Sequence, residues 1–267
     1  MSTINKMGAI IALNSLMLSP NFAAIKKNEL GKDEVDKTRH WRWTATLSGG
    51  AAFSDSVGRS QFIPIVNPIE DEFFNYAAAQ SNQTEFLWGV SLAMEFGLNQ
   101  NWLLQSGFSY YQPTLFHPQG MVAQGIDALS VDNFSYQYEI QARQVLFENK
   151  LLYNLSYKAG AFHPYASVGI GLGINSSSNY RVNITPPFTT FSNQFTNGSD
   201  SAFSYRVGLG VDYDLTTKLR IGIGYRFADF GKTKLGNAFI DQVPTFNNLS
   251  QAHLYTNEVL GQFTFLI

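Results

Sequence analysis

From Trp41 onward, neighbouring residues alternate between two classes. Trp41, Trp43, Ala45, Leu47, Gly49, Ala51 and Phe53 form an apolar series, and Arg42, Thr44, Thr46, Ser48, Gly50, Ala52 and Ser54 fall between them. A strand turns successive side chains to opposite faces, so this stretch has one greasy side and one polar or small side. It is longer than the common strand of a soluble protein. The pattern returns along the rest of the chain, and a closed barrel standing in a bilayer is the fold that uses it.

The second run sets Phe86, Trp88, Val90, Leu92, Met94 and Phe96 against Glu85, Gly89, Ser91 and Glu95. The third sets Trp102, Leu104, Phe108 and Tyr110 against Gln105, Gly107 and Ser109. The fourth begins with Phe134, Tyr136, Tyr138, Ile140 and Ala142 outward and Gln137, Glu139, Gln141 and Arg143 inward. It then changes parity, with Val145, Phe147, Leu151 and Tyr153 outward, and a β-bulge near Arg143–Gln144 is expected to absorb the extra residue. The fifth turns Ala166, Val168, Ile170, Leu172 and Ile174 outward against Ser167, Gly169, Gly171 and Gly173. The sixth and seventh turn out Phe203 to Tyr213 and Leu219 to Phe227, and the eighth carries Tyr255, Val259, Gly261, Phe263, Phe265 and Ile267.

Connections after odd-numbered strands are long (55–83, 112–133, 175–201 and 230–252), and those after even-numbered strands are short. The fold class is therefore all-β: an eight-stranded antiparallel up-and-down transmembrane β-barrel with long outer loops and short periplasmic turns. Backbone polar groups in hydrocarbon need partners, so the sheet must close. Eight strands leave a lumen just wide enough to be filled by side chains. On its inner face we expect Arg42, Arg143, Lys150, Arg206, Arg220 and Arg226 opposed by Glu85, Glu95, Glu139, Glu148, Asp212, Asp214 and Glu258. Signs that nearly balance point to a structural plug of paired charges rather than an ion path. Trp41, Trp43, Trp88, Trp102, Tyr110, Tyr136, Tyr138, Tyr165, Tyr213 and Tyr225 are expected in the interfacial girdles.

Composition agrees. Only 14% of the 267 residues are charged, and 15% are aromatic. With a net charge of −2 there is no basic excess, so nucleic acid is not an expected partner. Cysteine is absent, which excludes disulfides and thiolate metal sites. Residues 1–24 read as a signal peptide: Lys6, an apolar segment from Met7 to Leu18, the helix breaker Pro20, and the small pair Ala23–Ala24. Residues 25–40 read as a flexible periplasmic tail, and 41–267 as the barrel.

Pro164–Tyr165 followed by Gly169-x-Gly171-x-Gly173, and Gly224–Tyr225–Arg226–Phe227 ahead of Asp229 and Gly231, resemble the eight-stranded outer-membrane-protein β-barrel family. That family includes the OmpA transmembrane domain, OmpX, OmpW and opacity-type surface proteins. The resemblance implies the outer membrane of a Gram-negative cell, with lipid and lipopolysaccharide around the barrel. It also makes Gly261, Phe263, Phe265 and Ile267 an assembly signal read by the barrel-insertion machinery. It implies no particular activity, since function sits in loops and lumen.

The expected role is structural or surface-facing, through loops that contact host or surface ligands, with no enzymatic activity, cofactor or metal. A narrow OmpW-like channel for small apolar molecules is the alternative, and a lipid A-modifying enzyme the second. For the enzyme, Ser250, His253 and Glu258 are the relay candidates, which would have to touch one another. His40, His117 and His163 show no metal-ligand spacing. Asp55, Glu70, Asp71 and Glu72 read as a solvated acidic face. Phe62, Ile63, Ile65, Val66, Ile69, Phe73, Phe74 and Tyr76 in the first long loop, with Phe188, Phe191 and Phe195 in the third, are expected to pack loop on loop.

Overall fold

The alternating runs form strands in the computed structural model, which describes residues 41–66, 71–79, 82–126, 130–157, 160–184, 191–240 and 243–267. The expected signal peptide and tail lie outside the described residues. Eight strands build the barrel: β1 (Trp41–Ser54), β2 (Gln83–Gly97), β3 (Trp102–Pro113), β4 (Gln144–Tyr153), β5 (Gly160–Asn183), β6 (Gly198–Asp214), β7 (Leu219–Asp229) and β8 (Tyr255–Leu266). Each pairs antiparallel with the next. The ring closes where β8 returns to β1, from Thr44 opposite Leu266 to Phe53 opposite Asn257. Closure pairs the outermost strands with each other, which removes the edge that hydrocarbon would not tolerate.

Short-turn ends are set by local side-chain chemistry. Asn99 Oδ1 accepts from the N–H groups of Asn101 and Trp102, at 2.9 and 3.0 Å. Thr216 Oγ1 accepts from those of Lys218 and Leu219, at 3.2 and 3.0 Å. Such side-chain turns join neighbouring strands without a long loop.

The outer face of the ring is apolar and open. Phe108 is 66% exposed, Ile223 63% and Leu209 62%. A band of this kind needs an apolar surround.

At the long-loop end the strands do not stop. Gln61–Val66, Asp71–Ala78, Gln119–Ile126 and Ser130–Gln141 pair in that order as a four-stranded extension of the barrel sheet. Its last strand pairs with the upper part of β5. We call this sheet, with the loop segments packed on it, the cap. Its core joins Ile63, Phe74, Tyr76, Val122, Phe134, Tyr136, Tyr138 and Ile140 from the sheet to Phe191, Phe195, Leu235, Ala238 and Leu249 from the third and fourth long loops. Phe74 and Phe134 each meet Phe191 edge to face, at 5.7 and 5.2 Å. The two loops pair through Asn193–Phe195 and Ala238–Ile240.

The expected parity change in the fourth run does not occur. Gln141 opposes Ser176 and Gln144 opposes Gly173, so pairing with β5 stays in step across Ala142–Arg143. Even-numbered residues from Phe134 to Leu146 are all buried. Phe134, Tyr136, Tyr138, Ile140 and Ala142 therefore point inward, into the cap core, and Tyr136 and Tyr138 are not girdle residues. The register shift lies instead in β5, between Ser178 and Arg181, where Asn179 takes φ 56°. A single residue in the left-handed region is a common way to seat a bulge, and Asn tolerates it better than most. The extra residue re-aims the strand, so that Tyr180 and Val182 join the cap core.

Candidate functional site

Register places the inner-face charges at stacked levels inside the barrel. Nearest the short turns, Glu95 of β2 receives Arg42 of β1 through Nε and Nη2, at 2.8 and 2.5 Å. Its second oxygen accepts from Gln105 Nε2 at 2.7 Å and Arg220 Nη1 at 2.8 Å. Arg220 Nε reaches Asp214 at 2.6 Å, and the other oxygen of Asp214 meets His163 Nε2 at 2.8 Å. At mid-height, Lys150 Nζ donates to Asp212 at 2.7 Å and Gln262 at 3.1 Å, and lies 3.8 Å from the centre of the Tyr165 ring.

Toward the cap, Glu258 of β8 faces two arginines. Arg206 Nη2 donates to Oε1 at 3.2 Å, and Arg226 Nε lies 3.4 Å from Oε2. Both guanidinium groups lie over the Tyr111 ring, at 3.7 and 4.2 Å from its centre, which adds cation–π attraction in a buried setting. Arg206, Arg220 and Arg226 are fully buried. Glycine makes the room: a Cβ at Gly89 would lie 2.0 Å from the Tyr111 ring, and one at Gly224 2.2 Å from the Tyr165 hydroxyl.

Arg42, Lys150, Arg206, Arg220 and Arg226 thus share the interior with Glu95, Asp212, Asp214 and Glu258, and with Glu148, whose Oε2 is 3.5 Å from the Tyr111 hydroxyl. Desolvating so many charges is tolerable only when partners are close. The space left among Tyr111, Glu148, Lys150 and Tyr165 is about 30 Å³, room for a water or two.

Three members of the expected network do otherwise. Glu139 lies on the outer side of the cap strand and accepts from Asn179 Nδ2 at 2.6 Å. Arg143 donates to Gln141 on that same side. Both follow from the parity that does not change. Glu85 is inward but sits at the mouth, where it meets the Thr114 hydroxyl rather than a cation. Tyr165, expected in a girdle, is a lumen residue. Partner choice could not be read from the sequence, because it depends on register between strands far apart in the chain.

Above this lumen the core changes character. Gln144 Nε2 bonds Ser204 Oγ at 2.6 Å and the Asp229 carbonyl at 3.0 Å. Past it lie Ala142, Ala228, Phe230 and Leu254, all buried and apolar. Burial raises the phenol pKa values of Tyr76, Tyr138 and Tyr180, and pushes Tyr136 up to about 12.

Ser250, His253 and Glu258 do not form a relay. Glu258 is committed to the two arginines, Ser250 N–H donates to Gln61, and His253 Nδ1 meets Asp229 Oδ2 at 2.7 Å. His117 is exposed and uses its backbone N–H on Gln83. Glu72 is not simply solvated: it accepts from Gln124 and Ser192 at 2.8 and 2.7 Å, tying the first and third long loops. Ile69, Glu70 and Phe188, and the side chains of Ile65, Val66 and Asp71, lie outside what the structure describes.

The family model described as "Outer membrane protein beta-barrel domain" matches residues 21–256. The chain belongs to that family. Its place is the outer membrane, with strands crossing the bilayer. No curated protein matches the sequence. Among solved structures, the chain is similar to the outer membrane protein OprG from Pseudomonas aeruginosa, at 14% identity and a TM-score of 0.44, covering 85% of this chain and 98% of that one. It is similar to Ail of Yersinia pestis in complex with the heparin analogue sucrose octasulfate, at 12% identity and TM-score 0.33, covering 84% and 99%. It is also similar to the outer membrane protease OmpT from Escherichia coli, at 9% identity and TM-score 0.39, covering 86% and 97%. A barrel fold is compatible with many activities, so the functional argument rests on this chain's own residues.

Proposed function

We propose that this barrel is a non-conducting, non-enzymatic anchor that holds its cap at the cell surface, where the outward face of the cap sheet makes contact with other surfaces. The supporting observation is the double closure of the mouth and lumen. A pore needs a continuous wet path, and an ion channel commonly biases one sign at its constriction. Here both signs pair at each level, and a buried apolar core sits on top. The outward side of the cap sheet carries Asn75, Asn133, Ser135 and Gln137, all exposed, as a water-facing surface should.

Outer-membrane lipid and lipopolysaccharide surround the barrel in this reading. The alternating outward residues of β8, Gly261, Phe263 and Phe265 with Ile267 beyond it, are what the assembly machinery recognises. Folded protein in planar bilayers should show no stable conductance steps; regular unitary steps in the intact protein would refute the closed-lumen reading. Deleting residues 119–141 should abolish binding of cells to a protein-coated surface if contact runs through the cap. Unchanged binding by a correctly folded deletion would refute the contact role.

A further inference from the structure

At the rim, outside the lumen, a carboxylate meets an imidazole: Asp229 with His253. Outward aromatics of β6, β7 and β8 form a ladder there: Phe203 to Tyr205 at 6.3 Å, Tyr205 to Phe227 at 6.3 Å, Phe227 to Tyr255 at 5.6 Å. His253 ends it, stacked on Tyr255 at 5.3 Å with the planes 3° apart. Asp229 continues the outward parity of β7 and lies opposite both Tyr205 and Tyr255. Its side chain is nevertheless only 2% exposed, while that of His253 is 54% exposed. Oδ1 accepts the Gly231 N–H at 2.8 Å, and Oδ2 meets His253 Nδ1 at 2.7 Å. A carboxylate at Nδ1 fixes that nitrogen as the donor and leaves Nε2 for a ligand.

His253 lines a cavity of about 450 Å³, with Ser56, Arg59, Ser60, Ala78 and Ala79 on its other walls. The two sides are braced by Gln251. Its amide oxygen accepts the Gly58 N–H at 2.9 Å, and its amide nitrogen donates to the carbonyls of Ser56 and His253, at 3.0 and 2.8 Å. Among the described residues Arg59 has no carboxylate partner, whereas Lys232 and Lys234, also outside the lumen, both face Asp200. Arg59, without a carboxylate partner among the described residues, and His253, oriented by Asp229, thus both line one small-walled cavity beside the end of the aromatic ladder.

We propose that Arg59 and His253 bind the phosphate group of an outer-leaflet lipid at the barrel rim. Guanidinium supplies a planar fork of donors that matches phosphate. His253 Nε2 donates to a phosphate oxygen when protonated and accepts from a P–OH group when neutral, with Asp229 holding the ring in place in both states. The lipid source follows from location: the cavity adjoins Tyr255, and directly below it on the same outer face are Tyr225 and Val259, both widely exposed. This site is separate from the surface-contact reading and stands or falls independently of it.

The test uses the full chain folded in phosphatidylcholine nanodiscs and titrated with phosphorylated lipid A, with the same lipid stripped of phosphate, and with inorganic phosphate. The His253 imidazole nitrogen resonances report binding at the site. Phosphorylated lipid should shift Nε2, and Arg59→Gln should weaken that binding about tenfold, the loss of one charge-assisted contact. His253→Gln, read by lipid retention in native mass spectrometry, should weaken it as well. Equal binding of the stripped lipid, or full affinity in both variants, would overturn the proposal. Saturation by inorganic phosphate at the same concentration as lipid would overturn the lipid assignment and make this a site for soluble phosphate.

Discussion

Residues 130–141 and 144–153 are two lengths of one extended run, in step against β5 from Glu139 to Leu152, and they bury different chemistry on the same side. In the lower length, Gln144, Glu148 and Lys150 point in beside Leu146 and Leu152, while Val145, Phe147 and Leu151 point out. In the upper length, Phe134, Tyr136, Tyr138 and Ile140 point in while Asn133, Ser135 and Gln137 point out. The backbone geometry is shared; what differs is the medium outside. Lipid around the lower length rewards apolar residues outward and leaves charges to pair within. Water around the upper length rewards the reverse. A period of two reveals that a strand has two faces and says nothing about which solvent each face meets.

That contrast can be broken from the cap side first. Phe74→Ala removes a fully buried ring that Phe191 packs against, and should cost about 3–5 kcal/mol. The loss should fall on the cap: proteolysis should cut the long loops while the heat-modifiable gel shift of the barrel persists. On the barrel side, Glu258→Gln leaves two buried guanidinium groups without their counter-charge and should cost about 3–5 kcal/mol, measured as a lower urea midpoint for refolding into vesicles. Unchanged stability there would mean that water, not Glu258, carries those arginines.

A paired substitution sharpens the comparison. Ile170→Arg, on the outward face in lipid, should cost about 2–4 kcal/mol of insertion energy. Gln137→Arg, outward on the cap, should stay within about 0.5 kcal/mol of wild type. Equal costs would remove the distinction between the two media.

The smallest effect is a titration. Tyrosines raised by burial stabilise the cap in their neutral form, so that contribution is intact below the ordinary phenol value near 10. It is lost as pH climbs through the raised values, about 12 for Tyr136 and higher still for Tyr76 and Tyr138. Absorbance near 295 nm should show exposed tyrosines ionising near pH 10 and the cap tyrosines only as the cap opens.

Much of the barrel was legible because its rule is local: from Trp41 to Phe53, or from Leu219 to Phe227, each residue declares its face. The alternation of long and short connections added strand order. What stayed hidden depended on partners remote in sequence. Glu258 between Arg206 and Arg226 follows from register across β6, β7 and β8, whereas Tyr165 shares the inward parity of Ser167 and Gly169, and only the Lys150 cation on its ring comes from a distant strand. Phe134 to Ala142 were misplaced for another reason: Tyr and Phe at alternate positions satisfy both a girdle and a core. The pairing of Asp229 with His253 across a loop has no spacing signal at all, whereas Ser250 is near His253 in sequence and turned to Gln61 instead.

The most direct measurement places nitroxide spin labels singly at 133, 135, 137, 145, 147 and 151 in protein folded into lipid vesicles, and compares collisions with oxygen and with a water-soluble nickel complex. Labels at 145, 147 and 151 should favour oxygen and those at 133, 135 and 137 the nickel complex, with the crossover at Ala142–Arg143. Oxygen preference continuing through 135 and 137 would contradict the account, because lipid would then cover a face assigned here to water.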